Sequence, residues 1–165
     1  MVDPGTDDVD RIVDDWSRER PDLDFAPLHV LSRIDRLARN LERARRRAFL
    51  SSGLEPWEFD VLAALRRAGE PYRLSPSALV QQTLVSSGTM TNRIDRLVQR
   101  RLVERHTDPD DGRGVLVAMT ELGRARVDAA IAELLDDESE LLAALSPADR
   151  DRLSALLKRL SADFD

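Results

Sequence analysis

Apolar residues in this chain recur mostly at three- and four-residue spacing, the signature of one helix face. Val9, Ile12, Val13 and Trp16 form such a stripe and predict a first helix over 7–20, ended by Pro21. Leu28, Leu31, Ile34, Leu37, Leu41 and Ala44 predict a second over 27–49, closed by Ser51-Ser52-Gly53. Pro56 suits the first turn of a third helix, which carries Trp57, Val61, Leu62 and Leu65 as far as Gly69. Ser75-Pro76 reads as a cap followed by proline at the first helical position, opening a short helix to about Gln82. After a turn at 83–85, Ser86 or Ser87 caps a helix reaching about Arg101. The pattern then changes. Residues 102–106 and 115–119 read as strands, joined by a turn containing Pro109 and Gly112. Thr120 caps a long helix to about Leu145, with Glu121 in its first turn, and Ser146-Pro147 opens the last helix, with Asp149 at its third position.

This order predicts a fold that is mainly α with a two-stranded β-wing. A winged helix-turn-helix lobe occupies residues 54–119 of a single domain spanning 1–165. Helical regions over 7–53 and 120–165 flank it. Their apolar stripes exceed what the central lobe can cover, so they are expected to serve as dimerisation helices in a homodimer.

Composition narrows the chemistry. With 165 residues, 42% of them hydrophobic, the chain can bury a core, and 34% charged residues imply a hydrated surface. No apolar run approaches a bilayer span, and the N-terminus lacks the order of a signal peptide, so a cytoplasmic location away from membranes is expected. There is no cysteine and there are only two histidines, His29 and His106, which disfavours thiol chemistry and a metal site. Neither a nucleophile with its base, a phosphate-binding loop nor a dinucleotide fingerprint is visible, so catalysis and a cofactor are not expected.

The net charge of −6 does not by itself suggest nucleic acid. Its distribution permits it. Residues 86–105 carry a net +3, while residues 120–165 carry −5. All basic residues but Lys158 are arginine, a bias that base composition alone explains, so only arginine placement is informative.

On a helical wheel, Met90, Ile94, Leu97 and Val98 form a stripe that docks on a core. Asn92, Arg96 and Gln99 face the other way, with Thr89, Arg93 and Arg100 on the flanks. Ser87 and Gly88 lie at the helix start, where backbone N–H groups point toward phosphate. Small hydroxyls, an amide and guanidinium groups suit a major groove, although the same set could be an ordinary solvated face. In the turn, Arg113 suits a minor groove, with Asp111 placed to orient it; a weak surface ion pair is the plain alternative.

Residues 86–123, SSGTMTNRIDRLVQRRLVERHTDPDDGRGVLVAMTELG, resemble the recognition helix and wing of MarR-type transcription regulators, and the helix order resembles that family along the whole chain. The resemblance implies a homodimer that binds a pseudo-palindromic operator of double-stranded DNA, usually as a repressor, and is released by a small phenolic or anionic ligand. Its DNA-binding set would be Ser86, Ser87, Thr89, Thr91, Asn92, Arg93 and Arg96, with Asp111 and Arg113 in the wing. A winged-helix interaction module that has lost DNA binding is the alternative.

A narrower resemblance joins VDDWSRERPDLD (13–24) and EFDVLAALRRAG (58–69) to the urate-responsive branch of that family, which includes the PecS-type regulators. It implies a ligand set of Trp16, Asp60, Arg93 and Arg105. From the residues alone, Trp16 is equally a core residue. Arg105 shares the side of Val103 in its strand, and Asp60, Arg93 and Arg105 could instead form an internal salt-bridge network. A different phenolic or antibiotic effector fits the same recognition helix.

Overall fold

The computed structural model describes residues 5–109, 112 and 114–162. They divide into two compact units, residues 1–44 and 45–165, with the division inside a helix.

The first unit holds α1 (Asp8–Glu19) and most of α2 (Ala26–Ser51). A reciprocal cap starts α1. The Asp7 carboxylate accepts from the N–H groups of Val9 (2.8 Å) and Asp10 (3.0 Å), and Asp10 accepts from the Asp7 N–H at 3.1 Å. Val9 and Val13 are buried. Arg33 of α2 donates to Asp7 (2.8 and 2.9 Å) and to Asp10 (2.7 Å), and Arg36 donates to Asp8 at 3.1 Å. The Asp10 N–H, followed by Arg33, holds the Asp7 carboxyl down to about 2. Trp16 stacks near Phe25, ring centroids 6.0 Å apart, and remains half exposed.

The second unit contains α3 (Pro56–Arg67), β1 (Arg73–Leu74), α4 (Pro76–Thr83), α5 (Ser87–Gln99), β2 (Val103–Thr107), β3 (Val115–Met119), α6 (Glu121–Leu142) and α7 (Pro147–Ser161). The predicted two-stranded wing is a three-stranded antiparallel sheet, in the order β1-β3-β2. β3 pairs with β2 from Val103↔Met119 to Thr107↔Val115, and on its other edge with β1 through Arg73↔Ala118. Strand β1 escapes a sequence reading because two residues carry no alternation; its partner supplies the order. Leu54, Leu62, Leu65, Leu79, Ile94 and Leu97 anchor one core shared by α3, α4, α5 and the sheet.

Helix α5 stops two residues earlier than its apolar stripe suggests. Arg100 caps it, and Arg101 takes a left-handed φ of 59°, a conformation that turns Leu102 back into the core. The start of α6 is bound to this corner. The Thr120 hydroxyl donates toward the carbonyls of Arg101 (2.8 Å) and Leu102 (3.1 Å), and it accepts from the Gly123 N–H at 3.0 Å. Gly123 lies so close that a Cβ there would sit 2.2 Å from the Leu102 carbonyl oxygen.

Among the described residues, Glu58 is the buried charge of this unit, only 1% exposed. Its carboxylate accepts from the Glu55 N–H at 2.9 Å and pairs with Arg100. Arg100 also donates to the Gly53 carbonyl at 2.7 Å, which takes a second bond from Arg126 at 3.0 Å. The first turn of α3, the end of α5 and α6 therefore meet at one polar knot.

Candidate nucleic-acid interface

Local capping presents α5. Ser75 accepts from the Ala78 N–H at 3.2 Å to start α4. Leu84, in a left-handed conformation at φ 52°, ends that helix, and Ser86 accepts from the Thr89 N–H at 3.2 Å to start α5. The pair forms a helix-turn-helix. Met90, Ile94 and Leu97 turn inward and are buried, which leaves Ser87, Gly88, Thr89, Thr91, Asn92 and Arg96 exposed. The opposite-face assignment of Asn92 and Arg96 therefore matches the structure.

Three members of the expected set, Ser86, Thr89 and Thr91, make side-chain hydrogen bonds within the helix. The Ser86 hydroxyl is occupied as the cap, and it also meets the Thr89 hydroxyl at 2.9 Å. Thr91 donates its hydroxyl to the Ser87 carbonyl at 3.0 Å. Among the described residues, Asn92 makes no such internal bond. Asp111 and Arg113 lie outside the described residues.

The arginines converge on an aromatic ring that the sequence reading assigns only to a core stripe. The guanidinium of Arg96 lies 4.8 Å from the centroid of Trp57, and that of Arg93 lies 5.6 Å from it. Trp57, in the first turn of α3, packs against the core. Together with Gly88, Thr89 and Asn92, the three side chains line an open cavity of about 470 Å³ on the polar side of α5. No sequence signal marks Trp57 for this position, because its spacing to Val61 is that of a buried stripe.

Of the four residues expected around a ligand, Asp60, Arg93 and Arg105 belong to the second unit and Trp16 to the first. Arg105 pairs with Asp95 of α5 at 2.5 Å and is exposed, whereas its strand neighbour Val103 is buried. The shared side expected from alternation holds for the backbone, but the long arginine side chain reaches outward to the carboxylate. Arg93 lies against Trp57. Among the described residues, no salt bridge joins Asp60 to Arg93 or Arg105, although the Arg93 charge acts on Asp60 through space. Asp60 lines a separate cavity of about 270 Å³ with Phe59, Ala63, Arg67, Gln82, Thr83 and Leu84. Asp60 is an exposed residue, yet partial burial raises its carboxyl pKa, opposed through space by Arg93 and then Arg67. Trp16, in the first unit, borders a shallow cavity with Ile12, Asp15 and Glu19, and is 51% exposed rather than core.

Among the described residues, no cluster of histidine, cysteine or carboxylate side chains is arranged to hold a metal ion. No described helix is long and apolar enough to cross a membrane.

Comparison with known proteins identifies this arrangement. A profile described as MarR family matches residues 52–114, which span α3, the helix-turn-helix and β2 and end just before β3. The transcriptional regulator PecS of Dickeya dadantii is 36% identical over 93% of this chain and 92% of its own length. A cysteine-to-serine variant of MarR from E. coli, solved in complex with operator DNA, superposes with a TM-score of 0.65 at 28% identity, covering 84% of this chain and 99% of that one. BpsR of Bordetella bronchiseptica, whose DNA binding is regulated by 6-hydroxynicotinic acid, superposes with a TM-score of 0.58 at 30% identity over 78% of this chain and 98% of that one. Helix, turn, helix and wing thus carry a resemblance that extends over nearly the whole sequence, and the chain belongs to the MarR family of DNA-binding transcription regulators.

Proposed function

We propose that this regulator binds a pseudo-palindromic operator as a homodimer, represses from it, and is released by a small anionic aromatic ligand, with urate the first candidate. The carrying observation is α5, whose buried stripe is opposed by an exposed row of Thr89, Asn92 and Arg96. Asn92 is suited to an adenine edge, and Arg96 to guanine or phosphate. Ser87, Thr91 and Arg93 extend this surface, Ser86 fixes the start of the helix, and Asp111 and Arg113 are the wing residues assigned to the minor groove.

The dimer reading rests on uncovered apolar surface. No residue of α7 is buried, and Leu156, Leu157 and Leu160 are each at least 43% exposed. Leu135 and Leu141 of α6 are also exposed. A second copy supplies the cover such a surface needs.

For the ligand, Trp16 offers a stacking face, Asp60 an unpaired carboxyl, and Arg93 and Arg105 positive charge. Entry of an anion repels Asp60 and draws Arg93, a residue of α5, toward it. The helix shifts with it, and the two half-sites no longer match the fixed spacing of DNA. Release follows only if the ligand binds the DNA-free form more tightly. The 6-hydroxynicotinic acid that regulates BpsR is likewise a small ring with an acidic group, and is the second titrant.

Asn92→Ala and Arg113→Ala are each expected to weaken operator binding about tenfold while leaving the thermal unfolding midpoint unchanged. Gel shift and melting curves read this, and unchanged affinity in both would remove the groove-facing assignment. Urate titrated by calorimetry is expected to bind and to displace operator DNA, with binding lost in Trp16→Ala and Arg93→Ala. Absence of heat and of operator release at millimolar urate would exclude it.

A further inference from the structure

Two arginines three positions apart on one helix face repel each other and are costly to order, because each long side chain has many rotamers. Here both guanidiniums lie over one indole, Arg96 at 4.8 Å and Arg93 at 5.6 Å from the ring centroid. The indole itself belongs to a different helix and is backed by the core. The negative π-face offsets part of the repulsion and holds both charges beside Gly88 and Thr89, at the positive end of α5. Two guanidiniums and a helix N-terminus sharing one concave surface constitute an anion seat of the kind a DNA backbone phosphate fills.

We infer that Trp57 is a positioning residue for DNA binding: its indole orders Arg93 and Arg96 before contact and directs them to the phosphate backbone. This rests on the reading of α5 as the groove-facing helix. The ring does not touch DNA in this role. It acts by reducing the conformational freedom the two arginines lose on docking, so its effect appears in affinity and salt dependence and is small in sequence preference.

Operator binding of the full-length protein, measured across a salt series by fluorescence anisotropy, tests this. Trp57→Leu is expected to weaken binding about tenfold and to flatten the log–log salt slope by about 1 to 2, as loss of one or two phosphate contacts requires. Trp57→Phe, which keeps a weaker π-face, is expected to restore most of both. In an Arg93→Gln, Arg96→Gln background, Trp57→Leu is expected to change affinity no further. Wild-type affinity and slope in Trp57→Leu, or an undiminished effect in the double-glutamine background, would overturn the inference. Circular dichroism and melting accompany each variant. If Trp57→Leu fails to fold, the Trp57→Phe arm of the same cycle decides, with an expected change of about two- to threefold that disappears when both arginines are gone. If Asn92→Ala and Arg113→Ala also leave binding intact, the groove-facing assignment has failed; if they weaken binding and the Trp57 variants do not, only the role of Trp57 has.

Discussion

Arg100→Leu is expected to destabilise the protein by about 3 kcal/mol, the scale at which loss of one partner leaves a buried charge uncompensated. The Glu58 side chain is 1% exposed, against 38% for Arg100. Removing the arginine strands a carboxylate with the Glu55 N–H as its remaining bond, and it also removes one donor from the Gly53 carbonyl. Glu58→Leu is expected to cost less, because an orphaned Arg100 still reaches water. The double variant should be more stable than the sum of the two single effects predicts, since neither charge is then left alone. Urea unfolding followed by circular dichroism measures all three. An Arg100→Leu midpoint equal to wild type would show that the carboxylate is satisfied without its partner.

Gly123→Ala is expected to destabilise by about 2 kcal/mol, against the usual helix preference for alanine over glycine of about 1 kcal/mol. The new methyl would meet the Leu102 carbonyl oxygen at 2.2 Å and Met119 Cγ at 3.1 Å. The first obstacle is backbone. It is also the carbonyl that Thr120 binds through both its N–H, at 3.1 Å, and its hydroxyl. The corner can relieve the overlap only by loosening the α6 cap and the start of β2 together. A urea midpoint at or above wild type would mean that the corner shifts freely. Gly88→Ala is the contrast, with open space around the added methyl, and should leave stability nearly unchanged.

The features legible in the sequence are those decided within a few residues. Ser75, Thr120 and Ser146 are expected as caps and Ser86 as one of two candidates, and each accepts a backbone N–H three residues on. The stripe of Met90, Ile94 and Leu97 assigns the faces of α5 correctly because periodicity is also local. Long-range partners are different. β1 exists only because β3 pairs with it from 40 or more positions downstream. Glu58 and Arg100 find each other across 42 residues, and nothing in either neighbourhood announces the pairing. Alternation fixes the side on which Arg105 leaves its strand but not the reach that takes it to Asp95. Trp57 reads as core and is core on one face; its second face acquires meaning only when α5 crosses it.

The knot at Arg100 also sets a mechanical asymmetry. Helix α5 is clamped at its C-terminal end by a buried carboxylate and a carbonyl, and the Trp57 ring lies against Arg93 and Arg96 in its middle and later turns, while its first turn, Ser87 to Thr89, is exposed. Its 13 residues form an arm of about 20 Å at about 1.5 Å per residue. A tilt of roughly 5° about that fulcrum would swing the far end by roughly 2 Å, more than the tolerance of a hydrogen bond to a base edge. Small forces near Arg93 and Arg96 therefore act with leverage, and the tip that would carry the greatest displacement is the Ser87–Asn92 end, where the polar reading surface begins.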